Sequence, residues 1–148
     1  LAMGRTPEGA FTNALYESHK SFGIIIFVVM MARLAYRLVN GAPPPAQGLT
    51  PVEIWLSKAV HVALYVVLIA MPIGGYAATS SCCAPVNLFW TIPMPFSFSL
   101  SEETTKTVFK MHELGGYVLI GLVILHVAGA LNHALVKRDD VMSRMWAR

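Results

Sequence analysis

The sequence predicts an all-α membrane protein, a bundle of transmembrane helices, from three observations. Of its 148 residues 55% are apolar and only 13% charged. The apolar residues gather into three long runs, and the basic residues crowd at one set of their ends. Runs of this length, rising about 1.5 Å per residue, cross a hydrocarbon core of about 30 Å as helices. The spans are expected at about 14–38, 55–78 and 106–136, within a single transmembrane domain covering residues 1–148.

The first run is Phe22 to Met31, with amphipathic flanks that carry it from about Ala14 to Leu38. Gly41 to Pro51 follows, with four prolines and almost no charge, which cannot continue a helix and suits a stiff connector. The second run is Ala59 to Ala78. Thr79 to Leu100 is rich in Ser, Pro and aromatic residues and reads as a loop whose Phe89, Trp90, Phe96 and Phe98 lie at the headgroup level. The acidic Ser101-Glu102-Glu103 favours a helix N-terminus just before Thr104, and the third run is Leu114 to Val136. There is no internal repeat or low-complexity tract.

Charge sets the expected orientation. Arg33, Arg37, Lys58, Lys137, Arg138, Arg144 and Arg148 flank one side, whereas Arg5, Lys20, Lys106 and Lys110 on the other are diluted by Glu8, Glu17, Glu102, Glu103 and Glu113. The positive-inside rule places the C-terminus in the cytoplasm and the N-terminus outside. Because the chain starts with Leu1 on the outer side without a signal peptide, a further spanning helix is expected upstream, making these three helices of a four-helix unit. The net charge of +3 is accounted for by cytoplasmic anchoring, and nothing resembles a phosphate-binding loop, a nucleophile elbow or a nucleic-acid surface.

Five histidines carry the chemistry: His19, His61, His112, His126 and His133. Ionisable groups at membrane depth are costly without partners, so ligation, proton carriage and interhelical hydrogen bonding compete as roles. His112 and His126 are fourteen residues apart, which sets them about 40° apart in azimuth and about 21 Å apart along one helix. His126 and His133 are separated by about 10 Å along the axis, too far to share one small ion with bonds of about 2 Å. Haem removes that difficulty, because each iron needs one imidazole from each of two helices and two haems need two levels.

His19 begins the first span at the level where His112 begins the third, so the two are the natural pair for an outer haem. Gly23, one turn deeper than His19, and Gly115 and Gly116 after His112 would let a flat macrocycle approach the backbone, although small residues also serve ordinary helix packing. Arg33, fourteen residues after His19, either pairs with a haem propionate at the inner level or snorkels to the headgroups; Arg37 reads as snorkelling. His126 is placed to ligate an inner haem, with no histidine of this chain well placed opposite and the upstream helix the better source.

The segment HKSFGIIIFVVMMARLAYR from His19, the proline-rich link, AVHVALYVVLIAMPIGGY around His61, and MHELGGYVLIGLVILHVAGALNHALVKRDDVMSRM from Met111 together resemble the bacterial cytochrome b561 family. That group comprises four-helix, di-haem membrane cytochromes; it includes the superoxide oxidases and is related to the b-type subunits of membrane hydrogenases. The resemblance implies His19 and His112 as the outer-haem pair and His126 as the third-helix ligand of an inner haem whose partner lies on the first helix. It further implies two haem b groups and ubiquinone as electron acceptor. His133 then hydrogen-bonds a quinone or delivers protons, or is simply an interfacial histidine. His61 matches a family histidine and borders the inner haem, more in the manner of a hydrogen-bonding neighbour than of a ligand.

Three functions follow as alternatives: a stand-alone oxidoreductase moving electrons from superoxide or another outer donor to quinone, an electron-transfer subunit of a larger respiratory complex, or a haem-free bundle that carries protons or binds lipid. Superoxide capture favours a positive entrance, yet the outer segments hold about as many acids as bases; Lys20, Lys106 and Lys110 are the residues that would make a local patch. Cys82 and Cys83 are not expected to pair with each other, because adjacent cysteines bridge under strain; they are read as a loop detail or an interchain bridge in a homo-oligomer, without redox role. Met30, Met31, Met71 and Met111 are read as packing residues.

Overall fold

A computed structural model of the chain describes residues 9–83 and 85–143. Arg5, Glu8, Arg144 and Arg148, used above in the charge argument, lie outside the described residues. Three helices make the fold: α1 (Ala10–Asn40), α2 (Pro51–Cys82) and α3 (Glu102–Leu131), the last continued by a π-helical segment Asn132–Lys137. All three are long and apolar enough to cross a membrane, and each outruns its sequence-based span at both ends.

Local chemistry sets where the helices start. Thr50 caps α2 in a reciprocal capping box with Glu53, and Pro51 takes the first helical position, where its missing N–H costs nothing. Such a cap contributes about 1 kcal/mol. Ser101 caps α3 by accepting from the Thr104 N–H, so Glu102 and Glu103 occupy the first turn and the helix starts two residues earlier than the acidic cluster alone suggested. Lys137 then pairs with Glu53, tying the end of the π segment to the start of α2.

Packing follows membrane rules. Large apolar side chains face outward along every span, for example Val28, Val66 and Ile124, each about 60% exposed, whereas Ser21, Thr12 and Thr105 are buried. Lipid tails are as apolar as these side chains, so helix association depends on close approach at small residues and on polar contacts. The α2–α3 contact shows it. A Cβ on Gly74 would touch Val108, and one on Gly115 would run into the Met71 sulfur. Gly115 therefore serves helix packing and is not part of a cofactor cradle as the sequence suggested, whereas Gly23 and Gly116 face open space.

Helix α2 packs on both α1 and α3, but α1 and α3 do not pack on each other. The stretch after α2 is not a plain loop. Residues Asn87–Leu88 (β1) and Ile92–Pro93 (β2) pair as a small antiparallel hairpin, with Phe89 and Trp90 in the left-handed conformation at its turn. Asn and Gly usually mark such a turn, and their absence hid it from the sequence. The hairpin closes over α1: the Phe89 N–H donates to the Ser21 hydroxyl (2.8 Å) and its ring meets Phe22 edge to face. Ser80 and Ser81 of α2 bind backbone groups of Phe98 and Leu100, fixing the approach to α3. Contrary to the sequence expectation, Cys82 and Cys83 are bonded to each other, at the last helical residue of α2 and its C-cap. Both thiols are thereby used within the chain, leaving neither for an interchain bridge.

Candidate functional site: two tiers of histidines

The helices bring the histidines together in two tiers. At the hairpin end, His19 of α1 and His112 of α3 face each other with ring centroids 5.9 Å apart and planes nearly perpendicular. Towards the C-terminal end, His61 of α2 and His126 of α3 lie 5.3 Å apart. His61 thus does stand opposite His126, which sequence reasoning did not expect. The antiparallel course of α2 explains it, since its eleventh residue reaches the level that α3 attains twenty-four residues after its start.

The first tier fits a haem. Two imidazoles on one iron, with metal–nitrogen bonds of about 2 Å, have ring centroids about 6 Å apart, and the observed separation matches without movement of either helix. The rings bridge the two helices that do not pack on each other, and the open space at Gly23 lies one turn from His19. His112 Nδ1 is buried without a complete hydrogen bond, although the Met71 carbonyl lies beside the ring. A ligating histidine commonly directs its second nitrogen at such a carbonyl, which fixes the ring for the metal.

Gly75 also belongs to this tier and was missed by sequence reasoning. A Cβ there would lie 2.8 Å from His112 Cε1, so only glycine leaves room for the imidazole in its present position. The only sequence signal was the Gly74-Gly75 pair, which reads equally as a packing motif. Gly75→Val should displace the His112 ring and weaken haem retention at this tier by about tenfold, equivalent to about 1.4 kcal/mol. Haem titration of the apoprotein, compared with Gly116→Val, checks it.

The second tier is richer in cations. The Arg33 side chain donates to the Tyr65 hydroxyl (3.1 Å), the Arg37 guanidinium lies 5.8 Å from the Tyr65 ring centre, and both arginines act electrostatically on His61. Neither arginine forms an ion pair with an acid among the described residues. An anionic propionate would supply that partner. Because α2 and α3 pack on each other, the close approach of His61 suits a neighbour that orients His126 better than a ligand across a macrocycle. Ser57 Oγ, 3.4 Å from His61 Nδ1, restrains the His61 ring in turn.

Below this tier a cleft of about 240 Å³ opens between α2 and α3, lined by His61, His126, His133 and Val141 of the C-terminal turn. His133 Nδ1 is 2.6 Å from Asp139 Oδ2, and hydrogen bonding to His133 holds the Asp139 carboxyl below the usual carboxylate range. At the opposite end, Lys20 pairs with Glu17 and Lys106 with Glu102, which leaves Lys110 as the only lysine of the anticipated patch without an acidic partner among the described residues. No three His, Cys, Asp or Glu side chains gather around a point among the described residues.

Comparison with known proteins agrees with this arrangement. The whole chain, residues 1–148, matches the family described as prokaryotic cytochrome b561. It is 26% identical to cytochrome b561 homolog 2 of Escherichia coli over 87% of this chain and 69% of that protein. It is 29% identical to a Yersinia pestis protein named "Probable superoxide oxidase CybB" over 86% of this chain and 72% of that one. With cytochrome b561 homolog 1 of Escherichia coli the identity is 27% over 98% and 82%. Three apolar helices joined through facing imidazoles, together with a family match along the full length, establish that the chain belongs to the prokaryotic cytochrome b561 family of multi-pass membrane haem proteins.

Proposed function

We propose that the protein carries electrons across a bacterial inner membrane through two haem b groups, from superoxide or another outer donor to ubiquinone. The observation that carries this reading is the stacking of two imidazole tiers along one bundle. Bound haem supplies one-electron chemistry; the chain's own part is to hold, space and tune it. In this reading His19 and His112 clamp the outer haem, and His126 ligates the inner one with His61 orienting it. Arg33 neutralises a propionate, and Gly23 leaves room for the macrocycle edge. The hairpin and its aromatic residues close the outer end against water, and the C-terminus lies in the cytoplasm.

The test is quinol formation by the purified, haem-loaded protein when superoxide is generated beside it. Superoxide-dependent reduction of ubiquinone-1 that scales with protein concentration is the expected result; none at any protein concentration would remove superoxide as donor. A second reading, an electron-transfer subunit docked to a larger respiratory complex, is favoured by one observation. With Lys20 and Lys106 already paired, the outer face offers a small anion little attraction. Copurification of a stable large partner would favour that reading.

A further inference from the structure

The disulfide between Cys82 and Cys83 takes no part in either imidazole tier. Nor is it a staple of the fold. A disulfide stabilises mainly by closing a loop of unfolded chain, and a bond between adjacent residues closes none. Both residues are exposed. An external thiolate can reach a sulfur that is open to solvent, whereas a buried structural disulfide is shielded from such attack.

The bond also sits where its state is felt. Cys82 is the last residue of α2 and Cys83 its C-cap, whose N–H donates to the Thr79 carbonyl (3.1 Å). The two residues just before it hold the stretch of chain that leads into α3: the Phe98 N–H donates to Ser80 Oγ (3.1 Å) and the Leu100 N–H to Ser81 Oγ (3.2 Å). One turn earlier, the Tyr76 hydroxyl donates to the Phe96 carbonyl. Hydroxyls of the last two turns of α2 thus grip residues 96–100, and the disulfide closes the turn that carries Ser80 and Ser81. Cys82 lies seven residues beyond Gly75, the residue set against His112, so the bond is about 10 Å further along α2 than the His19–His112 tier. It bears on the covering of that end of the bundle and not on the ligands.

We propose that Cys82–Cys83 is a thiol-exchange site, opened by a dithiol reductant of the outer compartment, and that opening it loosens the grip of α2 on residues 96–100. A thiolate of the reductant attacks one sulfur, and the other leaves as a thiolate that takes up a proton from water. The second thiol of the reductant, once deprotonated, then displaces the first cysteine. The products are two protein thiols and a reductant oxidised to its own disulfide. A dithiol fits because its second thiol completes the exchange within one encounter. Without the ring of the bond, the backbone between Cys82 and Cys83 is free to turn, the end of α2 frays, and Ser80 and Ser81 move with it. That the hairpin end lies on the outer side, where disulfides persist, rests on the orientation proposed above.

The test uses the haem-loaded full chain in detergent, with dithiothreitol as probe. Iodoacetamide labelling reads the cysteines, and amide hydrogen exchange reads Phe98 and Leu100. Untreated protein should not label, and dithiothreitol should free both thiols while the protein stays folded. Exchange at the two amides should then rise about tenfold, the scale of one lost hydrogen bond, and reoxidation with diamide should restore the slow rate. Dithiothreitol also acts on haem, so the double variant Cys82→Ser/Cys83→Ser is the control: it should exchange fast with or without reductant. In Ser81→Ala, Leu100 should exchange fast in both states while Phe98 still responds. Labelling of untreated protein, or a bond that opens only on denaturation, would overturn the exchange site. Unchanged exchange after opening, or a double variant as slow as the oxidised wild type, would overturn its coupling to residues 96–100. These measurements hold whichever end of the bundle is outside. The orientation stands or falls separately, on whether a membrane-impermeant maleimide labels the reduced cysteines in intact cells.

Discussion

His112→Ala should yield a protein that retains the haem at the second tier and loses the one at the first. Removing this imidazole would delete one of the two axial ligands and take away the ring that faces His19 at 5.9 Å. Helices α1 and α3 do not pack on each other, so the two imidazoles supply the link between them at this tier. Haem content per chain, measured as the pyridine haemochrome, should fall by about one group, with His19→Ala giving the same loss. Retention of full haem in both variants would show that the first tier is not a haem site.

The second large effect separates two residues that touch. His126→Ala should abolish haem at the second tier, whereas His61→Ala should keep it and move its reduction potential. The basis is packing: α2 and α3 are in direct contact, and rings 5.3 Å apart across that contact are nearer than two imidazoles sharing an iron. A neighbour that only orients a ligand typically alters affinity or activity by about 10- to 100-fold when removed, less than the ligand does. Redox titration of the two variants checks it. Complete loss of that haem from His61→Ala would make His61 a ligand.

Much of this was legible in the sequence because membrane helices announce themselves by length and apolarity, and because fourteen residues return a helix to nearly the same face. The spacing of His112 and His126 came from that periodicity, and the facing of His19 and His112 came from their shared level at the outer ends of two helices running in the same direction. His61 did not, because its partner depends on the register of α2 against α3, which the proline-rich connector sets and no periodicity encodes. The hairpin was hidden since Phe89 and Trp90 occupy turn positions that Asn and Gly usually fill. The role of Gly75 was invisible for a similar reason: a residue without a side chain shows its purpose only by what stands where a Cβ would be. Asp139 carries no signal of its own in the sequence, and only the left-handed turn at Arg138 brings it back to His133.

Low-temperature electron paramagnetic resonance of the oxidised, purified protein tests the clamping of haem between His19 and His112 most directly. The account predicts a low-spin ferric signal typical of two axial imidazoles that disappears in His112→Ala. A preparation with no haem, or with only high-spin, singly ligated iron at that tier, would contradict it.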